Sequence, residues 1–269
     1  MGTSVKAVTF DLWQTLLFER DGAAQRRNEA RCKNLSEALA NVCLAVSVEQ
    51  VRYAMKEASS YLVKIWDTNR DVSHNEQLRL LITTVLEKEQ IDERLIASLS
   101  FAYASPIFDV PPYINPDAVE VLDWLQKREK RMAIICNTGL TPRFALRRVL
   151  EDENVGRYFD TMAFSDELGI RKPDPRIFEH VALQLHLPAS NIVHVGDSYR
   201  SDALGAKGAG FRSVHLKGSE GVDREASSDR SSLYSLSRDI GVLQKEDLVP
   251  DRTVRSLRGL MNAIRKLEE

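Results

Sequence analysis

The chain has 269 residues, 43% hydrophobic and 28% charged, which excludes wholesale disorder and leaves room for a large domain carrying a smaller one. A formal net charge of −2 excludes a broad nucleic-acid footprint, because that needs a clustered basic surface. Three cysteines (Cys32, Cys43, Cys136) without CxxC or metal spacing argue against a disulfide framework, and no stretch approaches the roughly 20 apolar residues that cross a bilayer.

Val5–Phe10 is a short, apolar, β-rich run that stops at Asp11, the mark of a strand near the middle of a sheet. No secretory leader precedes it, so a cytoplasmic protein without a membrane partner is expected. From about Phe18 to Leu99 the periodicity becomes helical and stays helical. Val48, Val51, Met55, Ala58, Leu62 and Ile65 recur every three or four residues, and Leu78, Leu81, Ile82, Val85 and Leu86 continue one stripe. Ser47 with Gln50 and Ser73 with Glu76 read as capping boxes. Several helices without an intervening strand do not fit inside an alternating sheet. Residues 18–109 are therefore expected to form an inserted helical bundle, with 1–17 and 110–269 as the core.

Past Asp109 the pattern alternates. Asn115-Pro116 opens a helix, Met132–Cys136 is a strand, and Thr141-Pro142 opens the next helix. Its basic stretch Arg143–Arg148 reads as a solvated face. A strand at Met162–Phe164, a helix after Asp174-Pro175, a strand at Ile192–Val195, a helix from Tyr199 and a strand near Ser213–Leu216 follow. Residues 218–238 are Ser-rich and read as a surface loop, and Val254, Leu257, Leu260, Met261 and Ile264 mark a terminal amphipathic helix. This order predicts an α/β class, with a Rossmann-like parallel-sheet core and helices on both faces. Such sheets bind ligands beyond the carboxyl ends of their strands. The unusual polar residues fall there: Asp11 after the first strand, Asn137-Thr138-Gly139 after the second, Gly196-Asp197 after a later one, and Lys172 in the connection after Met162–Phe164.

Phe10 to Leu16, Lys172-Pro173-Asp174 and Gly196-Asp197-Ser198 through Asp202, in that order, resemble the haloacid dehalogenase superfamily. The resemblance runs from about Val5 to Leu216 and includes a helical segment after the first motif, where that family carries an α-helical cap. It implies a hydrolase in which Asp11 is the nucleophile, oriented by Thr15. A carboxylate can split a hard phosphoryl hydrolysis into two displacements through an aspartyl-phosphate. The resemblance further implies Mg²⁺, which takes hard oxygen ligands. Asp11 and Asp197 would supply side-chain oxygens, Trp13 its backbone carbonyl, and Asp202 a direct or water-mediated contact. Lys172 would stand between Asp11 and the phosphoryl group, and metal and lysine together would hold Asp11 ionised. Trp13, Cys136, Asn137 and Thr138 would border the substrate.

Two positions depart from the family pattern. Trp13 stands where its phosphatases carry a general-acid Asp, a contribution worth roughly 10²–10⁴-fold. Cys136 stands at the hydroxyl position of the second motif, so Asn137 or Thr138 would take over its contact. Asp174 reads as a helix cap and Trp13 as wall packing. Arg26, Arg27 and Arg31 read as a solvated helix face that could still turn one or two arginines toward an anion; Tyr61, Trp66 and His74 stay unassigned. The first expectation is a Mg²⁺-dependent phosphatase for a small phosphorylated metabolite. Alternatives are a metal-free 2-haloacid dehalogenase, phosphonate cleavage through a cap lysine (Lys33, Lys56 or Lys64), and a binding or scaffold protein. The expected partner is a small molecule; oligomeric state stays open.

Overall fold

Two apolar runs, Ala7–Phe10 (β1) and Ile192–Gly196 (β6), lie side by side at the centre of a six-stranded parallel sheet. The computed structural model describes residues 4–88, 90–218 and 249–269. With β2 (Leu17–Phe18), β3 (Tyr113–Ile114), β4 (Arg131–Cys136), β5 (Thr161–Phe164), β7 (Arg212–Leu216) and β8 (Arg252–Val254), the sheet order is β5-β4-β1-β6-β7-β8. All its pairings are parallel, as the alternating pattern predicts.

Period-two alternation divides the strands between two layers. Val8, Phe10, Met132, Ile134 and Cys136 face a cluster completed by α6 (Ala118–Gln126), α7 (Arg143–Asp152) and the terminal α11 (Gly259–Glu268). Ala7, Ala133 and Ile135 face the other, built on Ile177, Phe178 and Val181 of α9 (Pro175–Gln184) and on Ala206.

Four helices, α1 (Ala23–Ala40), α2 (Val48–Trp66), α3 (His74–Leu86) and α4 (Glu93–Ala104), lie between β2 and β3 in the chain. They share a hydrophobic cluster of their own, including Leu35, Leu39, Val51, Ala54, Leu78, Leu81, Ile82, Ile96 and Leu99. Both capping boxes form, on Ser47–Gln50 and Ser73–Glu76. α5 (Pro106–Asp109) leads the chain back.

The structure departs from the sequence reading at several short elements. β2 and β3 form an antiparallel pair where the chain leaves for the helices and returns, and two residues each is too short to show a period. Val254, expected in the last helix, ends β8, and α11 begins only at Gly259. α7 takes no side-chain cap from Thr141 or Pro142; Asp166, in α8 (Ser165–Leu168) beyond β5, accepts the Arg143 N–H at 3.0 Å instead. The helix expected from Tyr199 begins as a π-helical turn, Tyr199–Leu204, before α10 (Gly205–Gly208). The loop expected over 218–238 lies, beyond Gly218, outside the described residues.

Candidate active site

At the carboxyl ends of β1 and β6, and in the connection after β5, three buried groups meet. Lys172 Nζ lies 2.6 Å from Asp11 Oδ1 and 2.7 Å from Asp202 Oδ1, with Lys172 4% and Asp11 7% exposed. Asp11, Asp197 and Asp202 each offer a carboxylate oxygen within 4.8 Å of the others. Burial pushes the Asp11 carboxyl up to about 7; the Lys172 ammonium opposes this, and the Asp202 and Asp197 carboxylates add to it. Burial would raise Asp202 too, but Lys172 and His194 hold it below the usual carboxylate range. Lys172 stays above its ordinary value because the two carboxylates outweigh burial. Three carboxyl groups with oxygens this close together form an all-oxygen donor set, which fits a hard divalent cation such as Mg²⁺.

Several residues hold this geometry from behind. Thr9 and His194, in register on β1 and β6, are polar residues in otherwise apolar runs. Burial keeps His194 neutral, and Asp202 can only accept, so His194 Nε2 donates to Asp202 Oδ1 at 3.2 Å and Nδ1 accepts from the Thr9 hydroxyl at 2.8 Å. The Ser198 N–H donates to Asp202 Oδ2 at 2.9 Å. The π-helical turn delivers Asp202 onto Gly196, where a Cβ would fall 2.3 Å from Asp202 Cγ, so only glycine fits. Asn137 clamps the lysine segment: its Oδ1 accepts the Lys172 N–H at 2.9 Å and its Nδ2 donates to the Lys172 carbonyl at 3.1 Å.

A second buried cluster ties the helices to the sheet. Asp71, between α2 and α3, pairs with Arg171 at 2.8 Å, accepts from Ser165 Oγ at 2.5 Å and takes the Trp66 indole N–H at 2.8 Å. Ser165 in turn accepts the Thr138 N–H at 3.0 Å. Backbone bonds from Asp71 N to Gly169 O and from Arg171 N to Asn69 O complete the seam.

These elements enclose a cleft of about 1190 Å³, counting its open mouth, ample for a small metabolite. Asp11, Trp13, Lys172, Asp197 and Asp202 border it from the sheet side, and Arg27, Asn28, Arg31 and Trp66 from the helices.

A profile of the haloacid dehalogenase-like hydrolases matches residues 5–210. The chain belongs to this family. It is 31% identical over 182 residues to a phosphoglycolate phosphatase of Pseudomonas fluorescens, covering 64% of this chain and 62% of that protein, so the match spans less than two thirds of the relative's length. It is 26% identical over 268 residues to a glyceraldehyde 3-phosphate phosphatase of Methanopyrus kandleri, covering 98% of both. A 2-haloacid dehalogenase from Pseudomonas syringae pv. tomato shares the fold with a TM-score of 0.66 at 21% identity, over 97% of this chain and 99% of that one.

As a family hydrolase, the chain brings Asp11, Trp13, Asn137, Thr138, Lys172, Asp197 and Asp202 to one cleft. Thr15 lies beneath Asp11, its hydroxyl 3.4 Å from Oδ2, a long contact. Cys136 is not brought to the cleft wall: strand alternation turns it into the core with Ile134, and burial raises its thiol well above the usual value. Asn137 spends both ends of its amide on Lys172 rather than on the open cleft. The solvated face expected for α1 is overturned at two positions, since Arg27 and Arg31 are 5% and 2% exposed. Trp66 borders the cleft, Tyr61 is exposed, and His74 packs against Tyr103 and Phe144 outside it. Thr9, His194, Asp71 and Ser165 support the site without belonging to any of its sequence motifs. For the first two a signal existed, a polar residue inside an apolar strand; for the others there was none. No helix among the described residues is long and apolar enough to cross a membrane.

Proposed function

We propose that this hydrolase is a phosphatase acting on a small phosphorylated metabolite through Asp11. The observation that carries the reading is the Lys172 ammonium shared between Asp11 and Asp202, with Asp197 beside them. Relatives named as phosphatases of phosphoglycolate and glyceraldehyde 3-phosphate support the substrate class. Asp11 Oδ2, the oxygen that Lys172 leaves open, attacks phosphorus. The bond to the departing alkoxide breaks and an aspartyl-phosphate forms. Water then attacks the same phosphorus, the bond to Oδ2 breaks, and inorganic phosphate leaves with Asp11 restored. Lys172 offsets the phosphoryl charge and keeps Asp11 oriented, with Thr15 behind it. Asp11 and Asp197, aided by Asp202 and the Trp13 carbonyl, would hold Mg²⁺, whose charge when bound draws down the Asp11 pKa and screens the phosphoryl oxygens.

Trp13 offers no proton to the leaving group, so esters with good leaving groups should react faster than alkyl esters. Residues 18–109, joined to the rest through the β2–β3 neck, act in this reading as a cap over a core of 1–17 and 110–269, closing the cleft against water.

The test is phosphate release from p-nitrophenyl phosphate by the full chain. With Mg²⁺ the rate should be measurable, a chelator should abolish it, and Asp11→Asn should lower it by at least about 10³-fold. A second reading, a 2-haloacid dehalogenase, is favoured by the aromatic residue at position 13 and by Asn137, both of which resemble that branch of the family. Halide release from 2-chloropropionate that ignores the chelator would establish it and overturn the phosphatase. Inactivity toward both substrates would favour a binding protein.

A further inference from the structure

Arg27 and Arg31 stand one turn apart on α1, and both border the cleft. Their charges are treated differently. Arg27 forms an ion pair with Glu19 and donates to the Val110 carbonyl at 3.0 Å. Arg31 is the more buried of the two, at 2% exposure, and no carboxylate among the described residues pairs with it. Its Nε donates to the Tyr103 carbonyl at 2.8 Å, one terminal nitrogen to Asn28 Oδ1 at 2.6 Å, and the other reaches the Leu140 carbonyl only at 3.5 Å. The Tyr103 ring lies 4.7 Å from Cζ and packs against the guanidinium. A guanidinium carries five N–H donors. These acceptors take three, which leaves one N–H on each terminal nitrogen.

A buried cation without a counter-charge is costly, and proteins seldom keep one that a ligand does not answer. Here the cation borders a cleft whose opposite side is proposed to hold a phosphoryl group. Two unspent N–H groups on one planar fork match the two oxygens of a carboxylate. Asn28 completes the device: an uncharged amide steadies the guanidinium without neutralising it. We propose that Arg31 receives a second anionic group of the substrate, a carboxylate, so that the ester hydrolysed is a small phosphorylated carboxylic acid. This deepens the phosphatase reading and rests on it for the identity of the reacting end.

The test uses two non-hydrolysable ligands that differ in one charge, phosphonoacetate and 2-hydroxyethylphosphonate. They are titrated into the full chain with Mg²⁺ while tryptophan fluorescence is followed, since Trp13 and Trp66 border the cleft. Phosphonoacetate should bind at least tenfold tighter. Arg31→Gln should remove that preference and leave 2-hydroxyethylphosphonate within threefold, and Arg31→Lys should keep part of it. Asn28→Asp supplies a carboxylate beside the guanidinium, so it should raise the thermal midpoint and also remove the preference. A structural role alone would not couple those two changes. If Arg31→Gln does not fold, Asn28→Asp and the wild-type comparison still decide. Equal wild-type affinities, or a preference unchanged in Asn28→Asp, would overturn the proposal. Turnover is read separately, on the phosphate esters of glycolate and of ethylene glycol. Hydrolysis of both at one rate, without Arg31-dependent binding, sinks the carboxylate receptor and leaves the phosphatase standing. Arg31-dependent binding with no phosphate released from either ester does the reverse.

Discussion

The two sides of the cleft carry buried charge in opposite ways. On the sheet side two buried carboxylates share one ammonium, with a third carboxylate close by, so the geometry is held by the protein's own pairs. On the helical side Arg27 is answered by Glu19, but Arg31 meets only carbonyls, an amide and a ring, so the excess is positive. A side held together by its own ion pairs can keep reacting groups in place before anything binds. A side that leaves a charge unanswered is stabilised by whatever answers it, and so selects its ligand.

The largest effect is expected on the sheet side. Lys172→Met removes the cation that two buried carboxylates share, which should cost about 3–5 kcal/mol of stability, read as a lower urea midpoint. In protein that remains folded, phosphatase turnover should fall by about 10²–10³-fold, the scale of losing one preorganised donor.

Asp71→Asn attacks the seam between the two sides. Arg171 would lose its carboxylate while 4% exposed, and Ser165 and Trp66 would lose a charged acceptor. The expected destabilisation is about 3–4 kcal/mol, read in urea unfolding. A change below about 1 kcal/mol would show the pair to be incidental.

On the helical side the expected effect is a pH dependence. Burial, with Arg31 and Arg143 nearby, lowers His74 from 6.5 to about 4. The folded state thus keeps His74 neutral where the unfolded chain protonates it. Stability is unaffected above about pH 6.5 and falls as pH drops from there through about 4, by up to roughly 3 kcal/mol. His74→Gln should flatten that limb of the curve. Asp166, which burial raises to about 6, slopes the opposite way, losing stability as pH rises from about 4 through 6; the wild-type-minus-variant difference isolates His74.

What was legible in the sequence followed from short-range rules. Short apolar runs such as Met132–Cys136 and Ile192–Val195 announced the strands, Ser47 and Ser73 announced two helix starts, and residues at strand ends pointed to one cleft. The elements that escaped were two- and three-residue strands, too brief for a period, and the cap of α7, whose acceptor Asp166 comes from α8, past the end of a different strand.

The amino-acid order by itself determined the α/β class, the helical stretch between β2 and β3, and where Asp11, Lys172 and Asp197 sit along the chain, because periodicity and turn chemistry act over a few residues. The tertiary structure alone decided that Asn137 grips Lys172, that His194 backs Asp202, that Asp71 bridges the helices to the sheet, and that Arg27 is neutralised while Arg31 is not. Those outcomes depend on which side chains burial brings together across tens of residues. A buried charge has no fixed meaning until its neighbours are known.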